Sequence, residues 1–396
     1  MNSKIYILSL LLFCSLHSFA QFTLRIEIIA TPSAHKEDGV FVAGNFNDWN
    51  PANDQFRFSN ANDKLVVEIK GLPAKNYQFK FTRGSWQKVE STSKGFDVSN
   101  KSVELSSDTT ISYAIDGWMD DHAIPKEHTA SANVHILDTA FFIPQLNKTR
   151  RIWIYLPQGY HEGKKHYPVM YLQDGQNVFD EVTSAFGNEW GVDECLDSLI
   201  AKGKQGCIVV GIDNGGATRM NEYNPYEFAM KDSASGKIFS PQGDEYIDFL
   251  KQTLKPFIDK KYRTLSSKEN TIIAGSSMGG LIAYYAVLKY PDVFGKAGVF
   301  SPAFWTAPAI KQLTDSVGNK VSSKFFFYCG GKESEKMVGD MNEVAEKLGT
   351  NSYAMIYTLV DAEGKHEEKA WRKWFAEFYV WMMADGYNNV IRLEDQ

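Results

Sequence analysis

The 396-residue sequence has few cysteines, no excess of basic residues and no long apolar segment beyond its N-terminus. Its formal net charge of -6 argues against a nucleic-acid partner, because such proteins present basic surfaces to phosphates. No segment after the first twenty residues contains 18 consecutive apolar residues, so no membrane span is expected. What remains is a chain of ordinary globular composition that is long enough for two domains.

The cysteines indicate neither cross-links nor metal binding. Three of the four follow residue 20, namely Cys195, Cys207 and Cys329. An odd number without close spacing predicts no disulfide framework and no metal motif. Cys207 and Cys329 lie in strand-like apolar runs, which predicts buried free thiols. We expect no metal and no cofactor.

The first twenty residues have the pattern of a cleavable export signal. A basic residue precedes the apolar run Ile5–Phe13, and small residues further on predict cleavage before Gln21. The run is too short for a stable membrane anchor. Lipid attachment at Cys14 is the less favoured alternative, because a bulky residue precedes that cysteine. We therefore expect a secreted or periplasmic protein.

Two regions with different patterns follow the signal. Residues 22–117 contain short alternating segments separated by turn residues and show no helical period, which predicts an all-β sandwich. Residues 118–133 are polar and aperiodic, and we interpret them as a linker. From residue 134 to 390, short apolar runs alternate with helical stretches, which predicts a parallel α/β sheet. The chain is predicted to end in a long amphipathic helix near residues 367–385.

The segment TIIAGSSMGG is the first candidate for chemistry. Gly275-Ser276-Ser277-Met278-Gly279 matches G-x-S-x-G, directly after an apolar strand and at the start of a helix. A nucleophile elbow requires this strand–turn–helix setting. Ser277 is central and is predicted to expose its hydroxyl, whereas Ser276 is predicted to point into the packing.

A serine nucleophile needs a base, and the base is oriented by an acid. In folds with a nucleophile elbow, the acid and then the histidine follow the serine along the chain. His366 is the one histidine after residue 277. Glu333, the first carboxylate after the strand KFFFYCG, is the favoured acid, with Glu335 and Asp361 as alternatives. Its task is to accept the imidazole N–H and stabilise the imidazolium.

An oxyanion hole needs two backbone donors. The N–H of Met278, directly after the nucleophile, supplies one. The loop after the strand Val169–Leu172 is expected to supply the other, and we favour the N–H of Gln176.

Residues 134–390 resemble the esterase D group of α/β hydrolases, which includes feruloyl, acetyl xylan and enterochelin-type esterases. The motifs that carry this resemblance occur in order: YLQDGQNVFD, VVGIDNG with RMNEYNP, GSSMGG, FSPAFW, CGGKES and KHEEKAW. The resemblance implies an α/β-hydrolase fold with Ser277, Glu333 and His366 as the triad. It also implies that Trp305, Arg219 and Tyr223 line the substrate pocket, with packing at a domain rim as the alternative. Many members have aspartate where this chain has glutamate.

The first region resembles early-set β-sandwiches of the glycogen-binding and isoamylase N-terminal type, through GNFNDW, YQFKF and RGSW. In sugar-binding members the positions of Trp49, Lys80 and Trp86 touch the glycan. A purely structural role is the alternative. Three polar residues are expected to form turns rather than bind ligands: Asn45, Asn47 and Asp48.

Together these patterns predict a secreted serine esterase with an appended β-sandwich. The expected substrate is a small-molecule or polysaccharide ester, with feruloyl or acetyl groups of plant polysaccharides favoured. Two alternatives are an enterochelin-type siderophore esterase and a catalytically inactive glycan-binding protein. The sequence does not separate hydrolysis from acyl transfer.

Overall fold

The structure, a computed structural model, describes residues 21–62, 64–122, 127–185, 187–229, 238–317 and 320–384. The chain divides into two compact units, whose described parts are residues 21–122 and the residues from 127 onwards. The predicted signal peptide and Cys14 lie outside the described residues. Within those residues, no helix has both the length and the apolarity that crossing a membrane requires.

The first unit is built from short strands. In chain order they are β1 (Gln21–Ala30), β2 (Phe41–Gly44), β3 (Ser59–Ala61), β4 (Lys64–Pro73), β5 (Lys75–Thr82), β6 (Glu90–Ser91), β7 (Lys101–Leu105), β8 (Thr109–Ala114) and β9 (Gly117–Trp118). They form a four-stranded sheet, β3-β4-β1-β8, a three-stranded sheet, β2-β5-β7, and the pair β6-β9.

The core of this unit follows from the two-residue period of its strands. Leu24, Ile26 and Ile28 of β1 are buried at alternate positions and pack with residues of β5 in one apolar cluster. Trp118, where the predicted linker begins, is 1% exposed and belongs to the same cluster. The first unit therefore continues past residue 117, and the short 3-10 turn Met119–His122 follows β9.

The second unit alternates strands with helices. Its strands are β10 (Val134–Ile143), β11 (Lys148–Tyr155), β12 (Val169–Gln173), β13 (Ile208–Ile212), β14 (Phe228–Ala229), β15 (Ile238–Phe239), β16 (Thr271–Ser276), β17 (Lys296–Phe300), β18 (Lys324–Gly330) and β19 (Met355–Asp361). Its helices are α1 (Val192–Ala201), α2 (Arg219–Glu222), α3 (Gly243–Phe249), α4 (Lys255–Lys261), α5 (Met278–Lys289), α6 (Ile310–Ser316), α7 (Glu335–Asn351) and α8 (Glu368–Met383). A π-helical segment, Leu250–Leu254, joins α3 to α4.

Eight of these strands form one sheet in the order β10-β11-β13-β12-β16-β17-β18-β19. The six strands from β13 to β19 in that order are parallel, as the sequence predicts, but β10 and β11 are antiparallel. The prediction of an all-parallel sheet is therefore wrong at this edge, because the connection at 144–147 is too short for a parallel crossover. Apolar clusters cover both faces, which explains the uninterrupted burial of β12, β13, β16 and β18.

The free cysteines agree with the sequence analysis. Cys207 and Cys329 are both 0% exposed and make no disulfide. Burial raises the pKa of the Cys329 thiol to about 12, so this thiol remains protonated and unreactive at neutral pH.

Candidate active site

The predicted nucleophile elbow joins β16 to α5. Ser277 lies between them with φ 58° and ψ −120°, a conformation that a residue with a Cβ rarely adopts. Its backbone N–H donates to the carbonyl oxygen of Phe300 at 2.9 Å, which holds the strained turn in place. Ser276 ends the strand at 6% exposure, whereas Ser277 is only partly buried. The two neighbouring serines thus occupy the different environments that the motif predicts.

The glycines of the motif allow the helix to approach the strand. A Cβ on Gly275 would lie 2.8 Å from the carbonyl carbon of Gly279 and 2.9 Å from Cβ of Gln173. Both distances are shorter than atoms in packed proteins tolerate, so a side chain at this position would push α5 away from the sheet.

His366 and Glu333 form a hydrogen-bonded pair. The distance between His366 Nδ1 and Glu333 Oε2 is 2.7 Å, and the Glu333 side chain is 1% exposed against 38% for the imidazole. The other carboxylate oxygen accepts from the Gly330 N–H at 2.8 Å and from Ser301 Oγ at 2.5 Å. Burial opposes the charge of Glu333, but the bonds from His366, Ser301 and Gly330 outweigh it and hold its pKa below the ordinary value.

An ionised Glu333 fixes the state of the histidine. A carboxylate can only accept hydrogen bonds, so Nδ1 of His366 must carry a proton, which leaves Nε2 free to accept one. Within the described residues, Ser277 and His366 share no direct hydrogen bond, as is common before a substrate is bound.

The two alternative acids are engaged elsewhere or exposed. The Asp361 carboxylate accepts from Trp374 Nε1 at 2.8 Å and pairs with Lys373 Nζ at 3.0 Å. Glu335 is exposed at the first position of α7. Of the three candidates, Glu333 is the one whose carboxylate is hydrogen-bonded to His366 in the part of the chain that the structure describes.

The two predicted oxyanion donors lie at the same edge of the sheet. Met278 begins α5, where the first N–H groups have no partner within the helix. Gln176 lies in the 3-10 turn Gly175–Asn177 after β12, the parallel neighbour of β16. The Gln176 carbonyl accepts from Thr183 Oγ1 at 2.7 Å, which helps to fix this loop. Carboxyl ends of neighbouring parallel strands therefore bring both donors to the elbow's side of the sheet.

The three predicted pocket residues occupy different environments. Arg219 makes a bidentate ion pair with Asp174 at 2.6 and 2.7 Å, and Tyr223 is 0% exposed beneath it. Burial opposes the charge of the guanidinium, yet the Asp174 carboxylate overrides it and raises the pKa of Arg219. Trp305 is 41% exposed. Of these three side chains, Trp305 offers the most open surface to a ligand.

The structure adds contacts that the sequence analysis did not assign. The buried carboxyl of Glu368 accepts from Asn177 Nδ2 at 3.2 Å, which ties the first turn of α8 to the loop after β12. Burial raises the pKa of Glu368, and the nearby Asp174 carboxylate adds to this effect. The indole N–H of Trp371 donates to Ser301 Oγ at 2.9 Å. Ser301 and Glu368 both lie in motifs quoted above, but nothing in those motifs indicates their partners.

One group of carboxylates has the chemistry to hold a hard cation. Glu189, Asp193 and Glu194, around the first turn of α1, offer oxygens that lie within 4.8 Å of one another. The Arg372 guanidinium lies 3.7 Å from Glu189 and supplies part of the balancing charge. Burial is the main cause that raises the pKa of Glu189 to about 8 and that of Asp193 to about 7.

The first unit brings its two candidate tryptophans together. The ring centroids of Trp49 and Trp86 are 6.3 Å apart at an interplanar angle of 40°, and both rings are partly buried. Trp49 has φ 56°, which is unusual for a bulky residue. Lys80, the third candidate, pairs with Asp97 at 2.7 Å.

The polar turn of this unit has the structure expected of turn formers. The Asn47 side chain accepts from the Gly44 N–H at 2.8 Å and donates to the Val42 carbonyl at 2.9 Å, and Asn45 accepts from the Gln78 N–H.

Comparisons with known proteins place the second unit in a family. Residues 143–381 match the model of the family described as Putative esterase. Over 244 residues the chain is 28% identical to an endo-1,4-beta-xylanase/feruloyl esterase of Xylanibacter ruminicola, covering 60% of this chain and 30% of that protein. Over 159 residues it is 30% identical to the ferri-bacillibactin esterase BesA of Bacillus subtilis, and the match covers 38% of this chain and 52% of that protein. The chain therefore spans less than two thirds of either relative's length.

The fold also has a solved counterpart. The crystal structure of the BES protein from Bacillus cereus matches with a TM-score of 0.52 at 18% identity, over 66% of this chain and 99% of that one. At this identity the likeness concerns the fold alone. Since the family model covers more than half of the sequence, the chain belongs to the putative esterase family, and its second unit has the α/β-hydrolase fold that the motifs predict.

Proposed function

We propose that this protein is a secreted or periplasmic serine carboxylic-ester hydrolase with Ser277, His366 and Glu333 as its triad. The observation that carries the proposal is the buried, multiply hydrogen-bonded Glu333 that holds His366 in the tautomer of a general base. The strained Ser277 at the strand–helix turn supports it, because such strain is characteristic of functional sites.

The chemistry follows from these positions. Ser277 Oγ attacks the ester carbonyl and passes its proton to His366 Nε2, while Glu333 stabilises the imidazolium through Nδ1. The backbone N–H groups of Met278 and Gln176 stabilise the oxyanion. His366 then protonates the departing alcohol and activates a water molecule that releases the acid from Ser277.

We propose acyl esters of plant polysaccharides, feruloyl or acetyl, as the substrate class. Trp305 and Phe228 pack edge to face with ring centroids 6.3 Å apart, and Phe228 stacks on Phe239 with centroids 4.8 Å apart. The two phenyl rings are buried and support an aromatic surface that Trp305 exposes. The next residue, Thr306, contacts Met278 Sδ at 3.5 Å, so this surface adjoins the elbow. An aromatic acid is well suited to pack there. The name of the Xylanibacter ruminicola relative supports the same class.

A siderophore-type ester hydrolase is the second candidate, favoured by the 30% identity to BesA. Assaying the purified protein on feruloylated xylan, acetylated xylan and a catecholate trilactone separates the two. Faster release from xylan than from the trilactone is expected, and the reverse order would favour the siderophore substrate.

For the first unit we propose an early-set sandwich that binds glycan through Trp49 and Trp86. The adjacent, partly buried rings support this role, since sugar C–H faces stack on such surfaces. Lys80 is expected to contribute only if its pair with Asp97 opens. Affinity electrophoresis in soluble xylan should show retardation that Trp49→Ala removes, and equal mobility of both proteins would contradict the binding role.

The activity itself is tested with a p-nitrophenyl ester. Ser277→Ala should lower kcat at least about 10,000-fold without loss of folding, because the covalent step disappears. Ser276→Ala is the matched control and should retain most activity. An active Ser277→Ala variant would refute the mechanism. If the wild-type protein hydrolysed no ester but still bound glycan, it would instead be a catalytically inactive binding protein.

A further inference from the structure

Ser301 lies beside the proposed triad and has an unusual backbone. Its φ is 43°, although it is not glycine, and it is 0% exposed. Its N–H donates to the Tyr328 carbonyl at 2.6 Å, so the conformation is held by the neighbouring strand β18. A residue with a Cβ adopts this conformation at a cost, which glycine would avoid. The presence of serine therefore calls for a role of its hydroxyl group.

The hydroxyl of Ser301 has two partners with fixed directions. Trp371 Nε1, which can only donate, lies 2.9 Å from Ser301 Oγ. The single hydroxyl hydrogen of Ser301 is therefore left for Glu333 Oε1 at 2.5 Å. The hydrogen bonds run in one direction, from Trp371 through Ser301 to Glu333.

The same tryptophan also contacts the histidine. The rings of Trp371 and His366 meet edge to face with centroids 5.2 Å apart. Trp371 itself is fixed by packing against Trp190 at 5.6 Å, and it is 4% exposed. A rigid indole thus restrains the imidazole through its ring and the carboxylate through Ser301.

Resting on the proposed function, we infer that Ser301 is a positioning residue of the triad, oriented by Trp371. It holds Glu333 ionised and in the rotamer that receives the His366 N–H. Without the hydroxyl, Glu333 Oε1 loses the hydrogen bond from Ser301 and keeps the one from the Gly330 N–H. The carboxylate can then turn away from His366, which lowers kcat and leaves substrate binding unchanged.

A set of variants tests this role. Ser301→Ala and Ser301→Gly both remove the hydroxyl, but only the glycine relieves the backbone strain. Both should lower kcat by about 10- to 100-fold with KM unchanged, as the loss of a hydrogen bond to a charged group implies. The glycine variant should be the more stable to heat. Ser323→Ala, at a buried serine just before the other end of β18, is the matched control and should keep wild-type kcat.

A double-mutant cycle separates positioning from general stability. If Ser301 acts through Glu333, adding Ser301→Ala to Glu333→Ala should reduce kcat by less than about 2-fold further. Two results would overturn the positioning role and leave the triad intact. One is a double variant whose loss of kcat equals the product of the two single losses, and the other is an unchanged kcat in Ser301→Ala while Glu333→Ala is impaired. Full activity of Glu333→Ala would instead overturn the triad on which the inference rests.

Discussion

Replacing Glu333 by glutamine is the most informative perturbation of the proposed triad. Glu333 is buried and accepts three hydrogen bonds, one from His366 on Oε2 and two, from Ser301 and Gly330, on Oε1. A carboxamide has the same shape but only one accepting oxygen, and its nitrogen can only donate. The two donors on the Oε1 side hold the amide oxygen there, so the amide nitrogen must face His366.

The size of the expected loss in kcat follows from the tautomer of His366. With a donor opposite, Nδ1 of His366 becomes the acceptor and the proton moves to Nε2, where it blocks transfer from Ser277. The same change in a Ser-His-Asp protease lowers kcat about 10,000-fold, which corresponds to about 5 kcal/mol of activation free energy. We expect a loss of this order for Glu333→Gln, with KM changed by less than about 3-fold because no substrate contact is removed.

Steady-state hydrolysis of a p-nitrophenyl ester measures this effect, with thermal unfolding as the check on folding. Asp361→Asn is the matched control, because Asp361 was an alternative acid and its side chain bonds to Trp374 and Lys373 instead. The control should keep kcat within about 2-fold. Wild-type kcat in Glu333→Gln, or an equal loss in Asp361→Asn, would refute the assignment.

Three further results are expected. Glu189 and Asp193 keep their protons in the folded state to about pH 8 and about pH 7, whereas the unfolded chain releases them near pH 4, so the free energy of unfolding should fall as pH rises from about 4 to 8. Glu189→Gln should make this pH dependence shallower in urea unfolding, and a slope equal to that of the wild type would contradict the raised pKa values. Gly275→Ala, whose Cβ would lie 2.8 Å from Gly279, should cost about 1 to 3 kcal/mol in urea unfolding and lower kcat; unaltered stability would contradict the packing argument. Trp305→Ala should raise KM for a feruloyl ester about 10-fold or more and leave an acetyl ester nearly unaffected, because it removes part of the aromatic surface; equal effects on both esters would exclude that contact.

The fold of the second unit was predictable where strands are buried on both faces. Runs such as TIIAG and KFFFYCG carry no charged residue after their first position, because helices cover the sheet on either side. The edge strand β10 lacks such a run, because most of its residues are not buried and Asp138 and Thr139 interrupt its apolar residues. Edge strands carry a weaker pattern for this physical reason.

The candidate site also contains residues that could be predicted from the sequence and residues that could not. Ser277 and His366 could be found from the motif and from the order of elements, since the elbow and the last loop are local features. Ser301 could not be assigned, because Trp371 is 70 positions away along the chain and Glu333 is 32 away. Such contacts depend on the register between β17, β18 and α8, which no local pattern specifies.

Covalent labelling tests the central claim most directly. Incubation with a fluorophosphonate ester, followed by peptide mass spectrometry, should place a single adduct on Ser277 and none on Ser276. Glu333→Gln should react far more slowly, because His366 can no longer accept the proton. An adduct on another serine, or wild-type labelling of Ser277→Ala, would contradict the account.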